Sequence, residues 1–137
     1  MVHALEKIQL LLKPGGLLLD IHPTNEPAAI AVRLREQIIA AGWINESDDY
    51  VEYEWADEAL QRVIDNERFV LERMGTFEFV WHADSMTDLR AYLAEEWKDA
   101  IIDGVTAMRI EELLKLPVRD KEILVSEAIR IARYRCA

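Results

Sequence analysis

Leu5, Ile8, Leu11 and Leu12 recur at helical spacing and predict a short helix with one apolar face. Lys13 suits its negative end, and Pro14-Gly15-Gly16 stops it. Leu17 to Ile21 do not alternate with polar residues, which predicts a strand covered on both faces inside a layered α/β sheet. After His22-Pro23-Thr24-Asn25, the spacing of Ile30, Leu34, Ile38 and Ile39 predicts a helix. Thr24 or Asn25 would cap it near Glu26, Pro27 suits its first turn, and Ala41-Gly42 would end it. Val51, Tyr53 and Trp55 alternate with Glu52 and Glu54, so residues 43–55 read as a short exposed strand or an extended arm. From Asp57 the period changes. Leu60, Val63, Ile64, Phe69, Val70 and Met74 favour a helix to about Arg73, closed by Gly75.

Residues 76–82 read as a strand. Ser85-Met86-Thr87-Asp88 has the form of a helix cap, a hydroxyl with an acid three residues on. Leu89, Leu93, Trp97, Ile101 and Ile102 continue one helical face, which Gly104 bends or divides before Ile110, Leu113 and Leu114 resume it, and Leu116-Pro117 ends it. Residues 123–135 favour a final strand, with a helix as the rival because Leu124, Ala128 and Ile131 also fit helical spacing. No repeat or Gly/Ser linker divides the chain, so residues 1–137 read as one domain.

Hydrophobic content of 51% places the chain among folded proteins rather than disordered ones. The net charge of -10 argues against a nucleic-acid partner. The acidic run from Asn45 to Glu58 reads as a solvated face. Arg119, Lys121, Arg130, Arg133 and Arg135 make the end of the chain basic, which could steer a contact with that run. Cys136 is the only cysteine, so no intrachain disulfide forms. With no signal-like N-terminus and no membrane-length apolar run, a cytoplasmic location and no membrane partner are expected.

Leu5 through Pro23, a helix followed by Lys13-Pro14-Gly15-Gly16 and an apolar strand, resembles the fifth-strand region of class I S-adenosylmethionine-dependent methyltransferases. The resemblance implies an α/β fold: the C-terminal half of a Rossmann-like methyltransferase, with a small mixed sheet of about three strands. Residues 17–21, 123–135 and 76–82 would supply strands five, seven and six, in the order 5-7-6. That family holds its methyl donor with a glycine-rich loop after the first strand. Gly15-Gly16 precede a strand instead, so no cofactor residue carries over, and S-adenosylmethionine would be bound only if the missing half were supplied. The segment sits almost at the start of the chain, so the expectation is a truncated, methyltransferase-like protein without methyl transfer of its own. It would act by self-association or partner binding. The alternatives are a fragment or subunit of an S-adenosylmethionine-dependent methyltransferase contributing the acceptor side, or a small ligand-binding protein with an aromatic pocket. An apolar strand robbed of its neighbour should associate. A homodimer through Leu17–Ile21 is therefore expected, or a protein partner that supplies the missing half.

His3, His22 and His82 have no metal-site spacing. His22 leaves a strand, a good position for a functional group in an open α/β sheet, and with Thr24 and Asn25 it is a candidate for substrate contact or proton transfer. His82, near Asp84 and Ser85, is the second catalytic candidate, beside the plainer reading of capping and turn bonding. Tyr53, Trp55 and Trp81, with Tyr50, are candidates for an aromatic binding cavity or interface, beside ordinary core packing. Trp43 is a candidate partner anchor.

Overall fold

A computed structural model describes residues 1–47 and 50–137. Asp48 and Asp49, in the middle of the acidic run, lie outside the described residues. The elements in order are α1 (Val2–Leu11), β1 (Leu17–Pro23), β2 (Ala28–Leu34), β3 (Gln37–Glu46), α2 (Val51–Asp65), β4 (Phe69–Ala83), α3 (Met86–Glu96), β5 (Ala100–Ile101), α4 (Gly104–Leu114) and β6 (Lys121–Cys136). The chain divides into two compact units. The first comprises Met1–Asn25, Tyr50–Phe77 and Ala128–Ala137, the second Glu26–Asp49 and Glu78–Glu127.

In the first unit β1 pairs antiparallel with the end of β6, from Leu17 opposite Arg135 to Pro23 opposite Ile129. Gly15, at φ 76, makes the turn into β1, and its N–H donates to the Cys136 carbonyl over 3.2 Å. One face of the ladder carries Leu18, Tyr134 and Ala132 into a core with Leu5 of α1, Leu60 and Val63 of α2, and Phe69. Tyr134 and Phe69 are its largest fully buried side chains. The other face leaves Leu17, Leu19 and Ile21 exposed, which corrects the expectation of a strand covered on both faces: β1 ends the strand order and has helices on one side of its ladder only.

In the second unit the hydrogen-bonded order is β6-β2-β3-β5, with antiparallel pairing throughout. Ala28, Ile30, Val32 and Leu34 alternate inward along β2. They share a core with Ile44, Leu89, Leu93, Ile110, Ile123 and Val125. Gly42 lets α4 lie against β3. A Cβ there would fall 2.2 Å from the Thr106 Oγ1, closer than any side chain tolerates.

Several expectations are corrected. The helix expected from Glu26 to Gly42 is instead the β2–β3 hairpin, turned at Arg35-Glu36. Ile30 and Leu34 fit a helical period, but Ile30, Val32 and Leu34 fit period two equally, and β6 offers Val32 a partner at Ile123. Helix α2 takes the Tyr53 to Trp55 segment that alternation marked as extended. It stops at Asp65, and Phe69, Val70, Met74 and Gly75 belong to β4 rather than to a helix. The long helix after Ser85 is two helices, α3 and α4, separated by β5. The end of the chain is a strand, β6.

The methyltransferase resemblance fails at the level of topology. A Rossmann-like sheet joins parallel strands through crossover helices. Here the described strands number six rather than about three, and β1–β6, β2–β6, β2–β3 and β3–β5 are all antiparallel. A two-residue turn is enough to join β2 to β3, and no parallel switch point arises at which a dinucleotide-like donor would seat. The protein is an antiparallel α/β domain, not a truncated methyltransferase.

Candidate functional site

Two polar constellations have defined geometry, one in each unit. In the first, antiparallel register puts His22 of β1 opposite Arg130 of β6. The His22 Nδ1 lies 2.9 Å from the Asp20 Oδ2, and Nε2 lies 3.3 Å from the Asp57 Oδ1 of α2. Neither contact has the direction of a hydrogen bond. Arg130 donates to the Asp20 Oδ2 over 2.8 Å and to the Tyr134 hydroxyl over 2.9 Å. Burial works against the Arg130 charge, but the Tyr134 hydroxyl and the Asp57 and Asp20 carboxylates outweigh it, and its pKa is raised. The His22 side chain is only 13% exposed. Its carboxylates sit on opposite ring nitrogens, so they cannot close on one ion, and among the described residues no cluster suits a metal. The arrangement ties α2 to the β1–β6 ladder.

The second constellation is built by the β2–β3 turn and the loop from α4 to β6. Arg33 of β2 donates to the Glu122 Oε1 over 2.8 Å, to the Asp120 Oδ1 over 3.0 Å and to the Arg35 carbonyl over 2.7 Å. The Arg35 N–H in turn donates to the Asp120 carbonyl over 2.8 Å. Lys121 donates to the Leu116 carbonyl over 3.0 Å and also to that of Leu114. The Arg33 hydrogen bonds hold the Asp120 and Glu122 carboxyls below their ordinary range and raise the Arg33 pKa.

Between these clamped segments lies an open cleft of about 710 Å³. Leu34, Ile39, Leu116, Pro117 and Val118 supply its apolar walls, with Arg35, Glu36 and Gln37 at the rim. Arg35 adopts φ 57, a left-handed conformation that costs a side-chain-bearing residue roughly 1–2 kcal/mol.

The residues singled out from the sequence are dispersed. His22, Thr24 and Asn25 lie together at the end of β1, in the first unit. The Thr24 N–H donates to the Ala128 carbonyl over 2.8 Å. Tyr53 and Trp55 are on α2 of the same unit, where Tyr53 packs against Tyr50 at 6.2 Å and Trp55 is exposed. Trp81 and His82 belong to the second unit. There Trp81 packs against Tyr92 at 4.4 Å with the rings tilted by 43° and donates to Glu127 over 3.0 Å, and the His82 Nδ1 lies 3.2 Å from the Glu122 Oε1. Ser85 accepts from the Asp88 N–H over 3.1 Å as a helix cap. Among the described residues Tyr53 pairs with Tyr50, Trp81 pairs with Tyr92 and Trp55 is exposed, so neither unit gathers them into an aromatic-cluster pocket, which corrects the aromatic-pocket reading. Sequence reading missed Arg33, Arg35, Asp120 and Glu122. Their only local signal was an arginine pair two apart in a segment taken for a helix.

Comparison with known protein families, curated proteins and solved structures finds no match to this chain.

Proposed function

We propose that the chain is a binding domain for a small molecule with an apolar body and an anionic end, seated in the cleft of the second unit. The observation that carries the reading is the cleft itself: about 710 Å³, apolar-walled, between two clamped segments. That volume is in the range of small-ligand sites. The Arg33 fork fixes the turn on one side and Lys121 the loop on the other, so little ordering entropy remains to oppose binding. Arg35 supplies the cation. A glycine would adopt its backbone conformation without strain, and strain kept at a cleft rim supports a functional side chain. The reading sets aside both methyl transfer and an aromatic cavity. A cytoplasmic location belongs to the same proposal, supported by a lone buried thiol at Cys136.

Anilinonaphthalene sulfonate, an apolar body with an anionic group, is the probe. Fluorescence titration should give saturable one-to-one binding. Leu116→Asp places a charge on the exposed apolar wall and should weaken that binding at least about tenfold while leaving the circular dichroism unchanged. Equal affinity in the folded L116D variant would refute the proposal.

A further inference from the structure

Among the described residues strand β1 has a partner on one side only: it ends the strand order and pairs with β6. The hydrogen bonds flanking the ladder show which of its residues face β6. The Cys136 N–H donates to the Gly16 carbonyl over 2.8 Å, and the Thr24 N–H to the Ala128 carbonyl over 2.8 Å. Alternate residues bond across an antiparallel pair, so Leu18, Asp20 and His22 direct their backbone groups at β6. Leu17, Leu19 and Ile21 therefore turn their N–H and C=O groups to the open edge.

From Leu17 to Ile21 the usual protections of an edge strand are missing, and the one that β1 carries, Pro23, lies at its end. Edges are blunted by lysine, a bulge or an outward charge. β1 carries no lysine or arginine, and its only carboxylate, Asp20, is turned to the inner face, onto Arg130 at 2.8 Å. On the outer face Arg133 and Arg135 are both neutralised by Glu72. What remains is Leu17, Leu19 and Ile21, 48%, 61% and 58% exposed, continuous with Ile131.

We infer that a second copy of the chain occupies this edge, β1 against β1, with a two-fold axis at Leu19. A two-fold antiparallel pair requires the axis to be perpendicular to the sheet, so each residue meets one of the same parity. The edge groups are on odd-numbered residues, which leaves few registers. Placing the axis at Leu19 sets Leu17 opposite Ile21 of the second copy, Leu19 opposite Leu19, and Ile21 opposite Leu17. Those pairs form about six backbone hydrogen bonds. One face then carries an unbroken apolar stripe, and on the other Asp20 lies opposite Leu18. Moving the axis to Asp20, a slide of two residues that keeps the parity, sets two carboxylates face to face and brings Pro23, which has no N–H, into the ladder. The arrangement is self-complementary, as an isologous contact must be. A second copy thus offers this edge an apolar match in which no charge faces a like charge, and that match is what selects it as the occupant.

Sedimentation equilibrium from about 1 to 200 μM tests this. The wild-type chain should fit a monomer–dimer equilibrium. Leu19→Lys brings two ammonium groups together at the axis and should raise the dissociation constant at least about tenfold, with circular dichroism unchanged because the side chain is exposed. Leu10→Lys, at an exposed apolar position of α1 away from the edge, should dimerise like wild type. A wild-type monomer across the range, an unaffected L19K dimer, or assembly beyond the dimer would each overturn the inference. The cleft variant L116D should leave this equilibrium untouched, so the two proposals fail separately.

Discussion

Arg35 shows how a single residue can be placed against its own preference. Its positive φ is the conformation at which glycine or asparagine is cheap and arginine is not. The backbone is held there by the Arg33 side chain on its carbonyl and by the Asp120 carbonyl on its N–H. Neither bond uses the Arg35 side chain. Arg35→Gly should therefore keep the turn and raise stability by roughly 1 kcal/mol, seen as a higher melting temperature. The same variant should lose affinity for the anionic probe. Stability and binding moving in opposite directions is the signature of strain kept for function. If both rise, Arg35 is not the anion contact.

At the scale of elements, local and non-local signals part company. Helix α3 was legible because its start is written locally: Ser85 accepts from the Asp88 N–H at 3.1 Å. Ser85→Ala should cost about 1 kcal/mol, measured by urea unfolding, since one helix-end N–H loses its acceptor. An unchanged unfolding midpoint would show that the cap contributes nothing. The β2–β3 hairpin was not legible. Its arginines, glutamate and glutamine favour helix by intrinsic propensity, and Ala28–Leu34 becomes a strand only because β3 and β6 bond to it on either side. Strand β4 was half legible. Residues 76–82 read as extended, whereas Phe69 and Val70, beyond the positive-φ turn at Glu67, fit the tail of a helix equally well.

At the scale of the whole chain, charge governs the response to pH. Asp120 and Glu122 are held below their ordinary range by the Arg33 hydrogen bonds, and Asp103 by the N–H of Thr106 at the start of α4. A carboxyl whose pKa is lower folded than unfolded stabilises the fold above its unfolded value. That contribution is lost as pH falls through the folded one. Stability should thus hold down to about pH 5 and decline below about pH 4. The double variant Asp120→Asn, Glu122→Gln should show a shallower decline in thermal melts between pH 5 and pH 2.5. An identical slope would mean that Arg33 does not couple these groups to folding.

The residue order alone determined what depends on near neighbours: the first helix and its Pro-Gly-Gly stop, the apolar strand after it, and the cap at Ser85. Those features arise from periodicity, backbone freedom and hydrogen bonds spanning a few residues. Tertiary structure decided the rest. It chose strand over helix for 28–42, antiparallel over Rossmann-like pairing, and the meeting of Arg33 with Asp120 and Glu122, and of His22 with Asp57. The physical reason is that a strand's bonding partners lie far along the chain. Spacing such as that of Ile30, Val32 and Leu34 satisfies both periods until another strand is there to accept the backbone.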